Sequence, residues 1–306
     1  MAKPLDPRIT EHRNPRTAAI DLASPIEIVD LINAEDATVA AAVASQRAQV
    51  ARAIEVAERC FRAGGRLIYV GAGTSGRLGV LDAAECPPTF GSDPEMVVGL
   101  IAGGPPALTR AQEGAEDDLT AAKSEMDARK VGADDFVIGI AASGTTPWVA
   151  SALEQAKARG ATTAIVACTP PPARMMAAAD IAIVPVTGPE VVTGSTRMKA
   201  GTATKLVLNT ITTGAMIRLG KTFGNLMVDL RATNDKLKDR SERILVEVCG
   251  ITSDRARELL AASNQSVKTA IVMQKLGVTR DAAEQALAEH GGAIRHVVND
   301  EPPPVP

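Results

Sequence analysis

Five short apolar runs recur through the middle of the chain: RLIYV (Arg66–Val70), VVGLIA (Val97–Ala102), FVIGIA (Phe136–Ala141), TTAIVAC (Thr162–Cys168) and IAIVPV (Ile181–Val186). Each is continuous rather than alternating, and helical spacing fills most of the intervals between them. Continuous apolar strands separated by helices predict a parallel sheet covered on both faces. Ligands of such sheets sit at the carboxyl ends of the strands. The fold class expected is therefore α/β, a doubly wound and mostly parallel sheet.

The flanks read as helix. Ser24, Pro25 and Glu27 supply an N-cap, a proline at the first helical position and the acid of a capping box, so a short helix is predicted there. A longer one runs through VAAAVASQRAQVARAIEVAERCFRA and stops at Gly64-Gly65. From Thr196 the pattern predicts helix through Asn209 and Met216 to about Arg240. From about Ser241 the segments TSDRARELLAAS, SVKTAIVMQKLG and TRDAAEQALAEHGG predict a separate set of short helices. The expected division is residues 1–240, a main domain with N-terminal helices, and residues 241–306, a small helical C-terminal domain.

Composition narrows the function classes. The 306 residues are 45% apolar, enough to bury a core, with 33 basic and 36 acidic side chains and a net charge of -3. That balance gives no reason to expect nucleic acid or an anionic membrane surface as partner, and 2% aromatics leave no stacking platform for bases. Cys60, Cys86, Cys168 and Cys249 form no CxxC and suit a reducing compartment. His12, His290 and His296 show no metal-ligand spacing, so neither metal nor cofactor is expected. The N-terminus lacks an apolar signal segment and no run reaches the length of a membrane span; a cytoplasmic setting is expected.

The first predicted strand leads into GAGTSGRLG (Gly71–Gly79), a glycine-rich turn before a helix, which is a place to hold phosphate. Gly71, Gly73 and Gly76 satisfy the dinucleotide spacing, but the next strand ends in Gly103-Gly104 and not in the acid that a ribose needs. No GKS or GKT follows, which disfavours ATP; Arg77 stands roughly where a Walker lysine would. What remains is a cradle of Gly73, Thr74 and Ser75, with hydroxyls, backbone N–H groups and a helix start, needing no metal. A second loop of this kind follows the third strand in AASGTTPW, where Ser143, Gly144, Thr145 and Thr146 precede Pro147. One such loop would pass for ordinary turn and cap chemistry; two at strand ends can close on one phosphate.

These residues carry a resemblance. Two such loops in a doubly wound sheet look like the sugar isomerase (SIS) domain, which binds phosphorylated sugars. ITEHRNP, LINAED, GGRLIYVGAGTSGRLGVLDAAECPPTFG, IAGG, EGAED, GPEVVTGSTRMKAGTATKLVLN and GNLMVDLRATNDKL together resemble the N-acetylmuramic acid 6-phosphate etherase family over nearly the whole chain. One departure is visible. The family usually has an arginine after the second-loop glycine and then Thr-Pro-Tyr, where this chain has Thr145 and then Thr146-Pro147-Trp148.

The resemblance implies cleavage of the ether between C3 of an amino sugar 6-phosphate and a D-lactyl group. It implies β-elimination from the opened sugar followed by water addition, a route of proton transfers with no hydride acceptor. By the same match Glu85, in DAAECPP, corresponds to the proton donor, and Glu116, in EGAED, to the second acid–base residue. Read alone, Glu85 is a helix-end surface acid and Glu116 one of a solvated group with Glu113, Asp117 and Asp118. The stretch from Glu190 through Ser195 and Lys199 admits two readings, a capped helix start or a wall of the sugar pocket; the second adds these three to the substrate-binding residues. SIS domains of this kind pair, so a homodimer is expected. The rival readings are a non-catalytic sugar phosphate sensor resembling the glucokinase regulatory protein and an aldose–ketose isomerase. Retention of Glu85 and Glu116 in their blocks favours the lyase.

Overall fold

The computed structural model describes residues 6–230 and 234–304. Five parallel strands form one sheet: β1 (Leu67–Gly71), β2 (Val97–Ile101), β3 (Phe136–Ile140), β4 (Thr162–Val166) and β5 (Ile181–Ile183), in the order β2-β1-β3-β4-β5. Leu67 pairs with Val97 on one side and with Phe136 on the other, Phe136 with Thr162, and Ala164 with Ile181. All five apolar runs are strands, each ending within a few residues of its predicted limit. The chain leaves β1 outward to β2 and returns across it to β3. The carboxyl ends of β1 and β3 therefore flank the point where the winding reverses, the usual ligand crevice of such sheets.

The chain clusters into two compact units, whose division falls inside two helices, α4 (Gly73–Phe90) and α8 (Lys199–Arg218). The first unit runs to Ala84 and resumes over Glu95–Thr212. On one face of its sheet Ile68, Val70, Val98, Leu100, Val137 and Ile165 pack against α5 (Leu119–Ala128), α6 (Pro147–Ala158) and α7 (Ala173–Ala178). Before the sheet lie α1 (Pro25–Asp36), α2 (Val39–Ala44) and α3 (Arg47–Arg62). The predicted capping box is present: the Glu27 carboxylate accepts from Ser24 N at 2.7 Å and from Ser24 Oγ at 2.6 Å. The longer predicted helix breaks at Ser45-Gln46 into α2 and α3. The α3 stripe Val50, Ala53, Val56, Ala57, Cys60 and Phe61 has the spacing of a buried helix face, and α3 contacts β5, β1 and β3. On α4, Val80 comes so near β2 that a Cβ on Gly99 would lie 2.5 Å from its Cα; only glycine fits there. The buried Asp82 carboxylate then joins three elements, accepting from Tyr69 Oη at 2.8 Å, Asn209 Nδ2 at 2.5 Å and Thr212 Oγ1 at 3.2 Å. Burial raises its pKa against those hydrogen bonds.

The second unit comprises Glu85–Pro94 and the chain from Thr213 onward. It starts well before the expected boundary at 241. Helix α8 ends at Arg218, and an antiparallel ribbon of β6 (Thr222–Phe223) and β7 (Leu226–Met227) follows, so the helix predicted to about Arg240 is interrupted. Phe223, Val228 and Leu230 enter one core with Ile244, Leu245, Leu259, Ile271 and Leu287. The helices are α9 (Asp235–Cys249), α10 (Ser253–Ala262), α11 (Val267–Leu276), α12 (Arg280–Glu289) and α13 (Ile294–Val298). Four of them start on side-chain caps, Asn234, Thr252, Ser266 and Thr279. Helices α9 and α11 end on left-handed Gly250 and Gly277. The Asp229 carboxylate binds Lys268 Nζ at 2.7 Å and Lys221 Nζ at 3.0 Å.

Candidate active site

Gly71 ends β1, and α4 begins two residues later with Gly73, Thr74 and Ser75 in its first turn and no acid there. Ile140 ends β3; the loop to Thr146 leads into α6, which opens on Pro147 with no acid in its first turn and no side-chain hydrogen bond from its cap residue Thr146. Each start presents the positive end of a helix dipole beside hydroxyl side chains. Gly144 holds its loop in shape: φ is +69°, and a Cβ there would sit 3.0 Å from Pro171 Cα. Ser143 Oγ lies 2.9 Å from Thr145 Oγ1 and accepts from Thr145 N at 3.3 Å, which orients the hydroxyl. Thr74, Ser75, Ser143 and Thr146 all line one cavity of about 360 Å³.

The other wall comes from the connection after β2. It turns at Pro105–Leu108 and again at Ala115–Asp117, the second turn resting on α6. Glu113 and Glu116 line the cavity from here. Asp118 then caps α5, accepting from Ala121 N at 2.9 Å, which fixes the end of the connection. Arg77, in the first turns of α4, reaches across and donates from Nε to the Leu108 carbonyl at 3.0 Å. The N-terminal segment supplies Arg8 and Glu11. That segment is moored by Ile9 N, which donates to Thr169 Oγ1 at 3.1 Å beyond the end of β4.

The start of α8 is built differently. Glu190 is fully buried, and its carboxylate accepts from Lys199 N at 3.0 Å and Ala200 N at 2.9 Å. Burial raises the Glu190 pKa against those two hydrogen bonds. The Lys199 ammonium is fully buried too, 2.6 Å from Glu35 of α1, which Arg16 also pairs with. Glu35 is held down at about 2, first by the hydrogen bond from Arg16 and then by that from Lys199, both acting against burial.

Among the residues expected at the site, the structure gathers Gly73, Thr74, Ser75, Ser143, Thr146 and Glu116 around the cavity. Gly144 and Thr145 shape the second loop without lining it. Glu190 and Lys199 are shut away from solvent at the start of α8, Glu190 as a cap on its first N–H groups and Lys199 in a buried ion pair with Glu35. Ser195 does not line the cavity, although its neighbour Thr196 does. Glu85 lies in the last part of α4, with Pro87 and Pro88 in the helix's last turn. It is exposed, roughly three turns beyond Thr74, and is not among the cavity-lining residues. Trp148, where the chain departs from the family pattern, is 2% exposed and packs into the core. Sequence reasoning missed Arg8 and Glu11; Glu11 lies in ITEHRNP, one of the blocks carrying the family resemblance, and Arg8 immediately precedes it.

Comparison with known proteins follows the same lines. A family model, the glucokinase regulatory protein N-terminal SIS domain, matches residues 49–157. N-acetylmuramic acid 6-phosphate etherase 2 of Vibrio parahaemolyticus is 53% identical over 292 residues, 95% of this chain and 97% of that protein. The N-acetylmuramic acid 6-phosphate etherase of Rhodopirellula baltica is 52% identical over 298 residues, 97% of this chain and 98% of its own length. That of Mycolicibacterium smegmatis is 51% identical over 289 residues, 94% of this chain and 97% of its own.

Proposed function

The chain belongs to the family of N-acetylmuramic acid 6-phosphate etherases, and from that premise we propose that it cleaves the D-lactyl ether of N-acetylmuramic acid 6-phosphate. The products are N-acetylglucosamine 6-phosphate and D-lactate, and the setting we infer is cytoplasmic recycling of cell-wall amino sugars. The observation that carries the reading is the pair of acid-free helix starts, each with hydroxyls, opening on one cavity with Glu116. The 6-phosphate belongs between the β1 and β3 loops, against Thr74, Ser75, Ser143 and Thr146. There N–H groups and hydroxyls meet its charge.

With C6 held there, the open-chain aldehyde at C1 acidifies the proton on C2. A base takes that proton, the C3–O electron pair leaves with the lactyl oxygen, and the oxygen is protonated. Water then adds to C3 of the unsaturated aldehyde while C2 regains a proton. One water is consumed in all, and no electrons pass to an acceptor. We assign the C2 proton to Glu116, which lines the cavity, and protonation of the departing oxygen to Glu85. The second assignment rests on the family resemblance alone. We also infer a homodimer.

A sugar phosphate sensor would use the same loops but has no need of an acid–base group in the cavity. The deciding experiment is incubation of the purified chain with N-acetylmuramic acid 6-phosphate. D-lactate and N-acetylglucosamine 6-phosphate should form in equal amounts, and solvent oxygen should label C3 of the sugar and not lactate. Binding without release of lactate would refute the lyase reading.

A further inference from the structure

Two cationic side chains line the cavity, Arg8 and Arg77, and they are committed differently. Arg8 already faces a carboxylate, donating from Nε to Asp6 Oδ1 at 2.9 Å and from Nη2 to Asp6 Oδ2 at 2.5 Å. Arg77 donates from Nε to a carbonyl, that of Leu108, at 3.0 Å. A neutral carbonyl fixes the plane of the guanidinium, and among the described residues no carboxylate forms an ion pair with Arg77, although Glu11, Glu113 and Glu116 line the same cavity.

The direction of that anchor is informative. Leu108 belongs to the connection after β2, and β2 and β3 lie on opposite sides of β1. The hydroxyl loops follow β1 and β3. Arg77 is thus drawn to the other side of β1, toward the connection that carries Glu116. One cavity holds an anion cradle at the β1–β3 side and a directed cation with an acid–base carboxylate at the β2 side. A ligand suited to both ends carries two ionised groups, with the reacting carbon near the second. Resting on the reaction proposed above, the lactyl ether is such a ligand: phosphate on C6, carboxylate on the group leaving C3. We propose that Arg77 receives the lactyl carboxylate and is the residue that distinguishes the lactyl ether from an amino sugar 6-phosphate without it. The guanidinium fork suits a carboxylate, so the contact would orient the lactyl group as well as attract it.

The test is a cycle of two proteins and two ligands: the wild type and Arg77→Gln, each with N-acetylmuramic acid 6-phosphate and with its lactyl amide, which carries no charge at that end. For the acid, Arg77→Gln should lower kcat/KM by about ten- to a hundredfold, the range of a hydrogen bond to a charged group. For the amide, and for inhibition by N-acetylglucosamine 6-phosphate, it should change the constants by less than about twofold, the scatter of independent sites. Equal losses with acid and amide, or no loss with the acid, overturn the proposal. If Arg77→Gln does not fold by circular dichroism, Arg77→Lys enters the same cycle, keeping the charge and losing the fork. A loss confined to the acid supports the assignment, and equal treatment of both ligands overturns it. Turnover of the acid by the wild type is measured first. Its absence refutes the proposed reaction, and acid and amide are then compared by equilibrium titration, which decides Arg77 separately.

Discussion

Three helix starts in the first unit handle their positive ends in two ways. Helices α4 and α6 open on a cavity, with hydroxyls near the first turn and no acid in it. Helix α8 opens on the buried carboxylate of Glu190, and its first side chain, Lys199, is neutralised by Glu35. The local sequences look alike, with glycine, serine and threonine at or just ahead of the helix start in each. The difference is whether the protein supplies the anion itself. Where it does, the helix end is closed and the charged residues hold the fold together. Where it does not, the end is left for a ligand, which by our reading is the sugar phosphate.

That contrast breaks most visibly through turnover. Glu116→Gln keeps the shape of the side chain and removes its proton transfer. It should lower kcat by about a hundred- to ten-thousandfold, with a melting temperature like that of the wild type. Glu85→Gln should fall by a comparable factor if its assigned role holds. Normal turnover in either variant removes that residue from the mechanism. A Glu116→Gln protein that loses stability instead would place this carboxylate with the structural group.

The buried side should behave in the opposite sense. Lys199→Met leaves Glu35 without its buried partner, and breaking such a pair costs about 3–5 kcal/mol. Chemical denaturation should show that loss, while whatever folded protein remains should bind sugar phosphate normally. A Lys199→Met protein of wild-type stability but poor affinity would mean that the lysine meets substrate, and the distinction between the two kinds of helix start would fail.

The sequence was legible where a signal is local. The five strands are continuous apolar runs, and the phosphate loops stand out because glycines and hydroxyls occupy strand ends. The start of α8 stayed open between two readings because its decisive partner is distant: Glu35 lies far upstream of Lys199 and has no local mark of burial. Glu190 likewise caps its helix from several residues away, outside the usual N-cap spacing. The β6–β7 ribbon was hidden by its length, two residues per strand, inside a segment whose apolar spacing continues that of α8. Arg8 and Glu11 lie on or beside a 3-10 turn, which gives no periodicity to read. Residues 231–233, within the predicted helix to Arg240, fall outside the described residues.

A finer probe divides the cradle itself. Ser75→Ala and Ser143→Ala should each weaken binding of N-acetylglucosamine 6-phosphate by about ten- to a hundredfold, as expected for one hydrogen bond to a charged oxygen. Isothermal titration with the unphosphorylated sugar should show no such loss. Equal weakening for both ligands would mean that the serines support the loops and do not touch phosphate. Ser143 is the more demanding case, since its hydroxyl is already engaged by Thr145 N and stands 2.9 Å from Thr145 Oγ1.

The smallest effect should come from the exposed partner of the buried pair. Arg16 also binds Glu35, but its side chain is 65% exposed, whereas that of Lys199 is fully buried. An ion pair with one end in water contributes roughly 0–1 kcal/mol, so Arg16→Gln should cost about that much at neutral pH, well below Lys199→Met. Its signature should lie in acid. Glu35 is held at about 2, with the Arg16 hydrogen bond the largest cause, below its value in an unfolded chain. A carboxyl with a depressed folded-state pKa contributes stability that is complete above the unfolded value and is lost as pH falls through the folded one. Replacing Arg16 raises the folded value toward the ordinary one, so part of that contribution disappears and the acid limb of the stability curve becomes shallower between the two. Denaturation midpoints from pH 7 to below the folded value of about 2 would show it: wild type and Arg16→Gln should converge as Glu35 is protonated in both. A difference that stays constant across that range would mean that Arg16 acts through packing and not through the Glu35 charge.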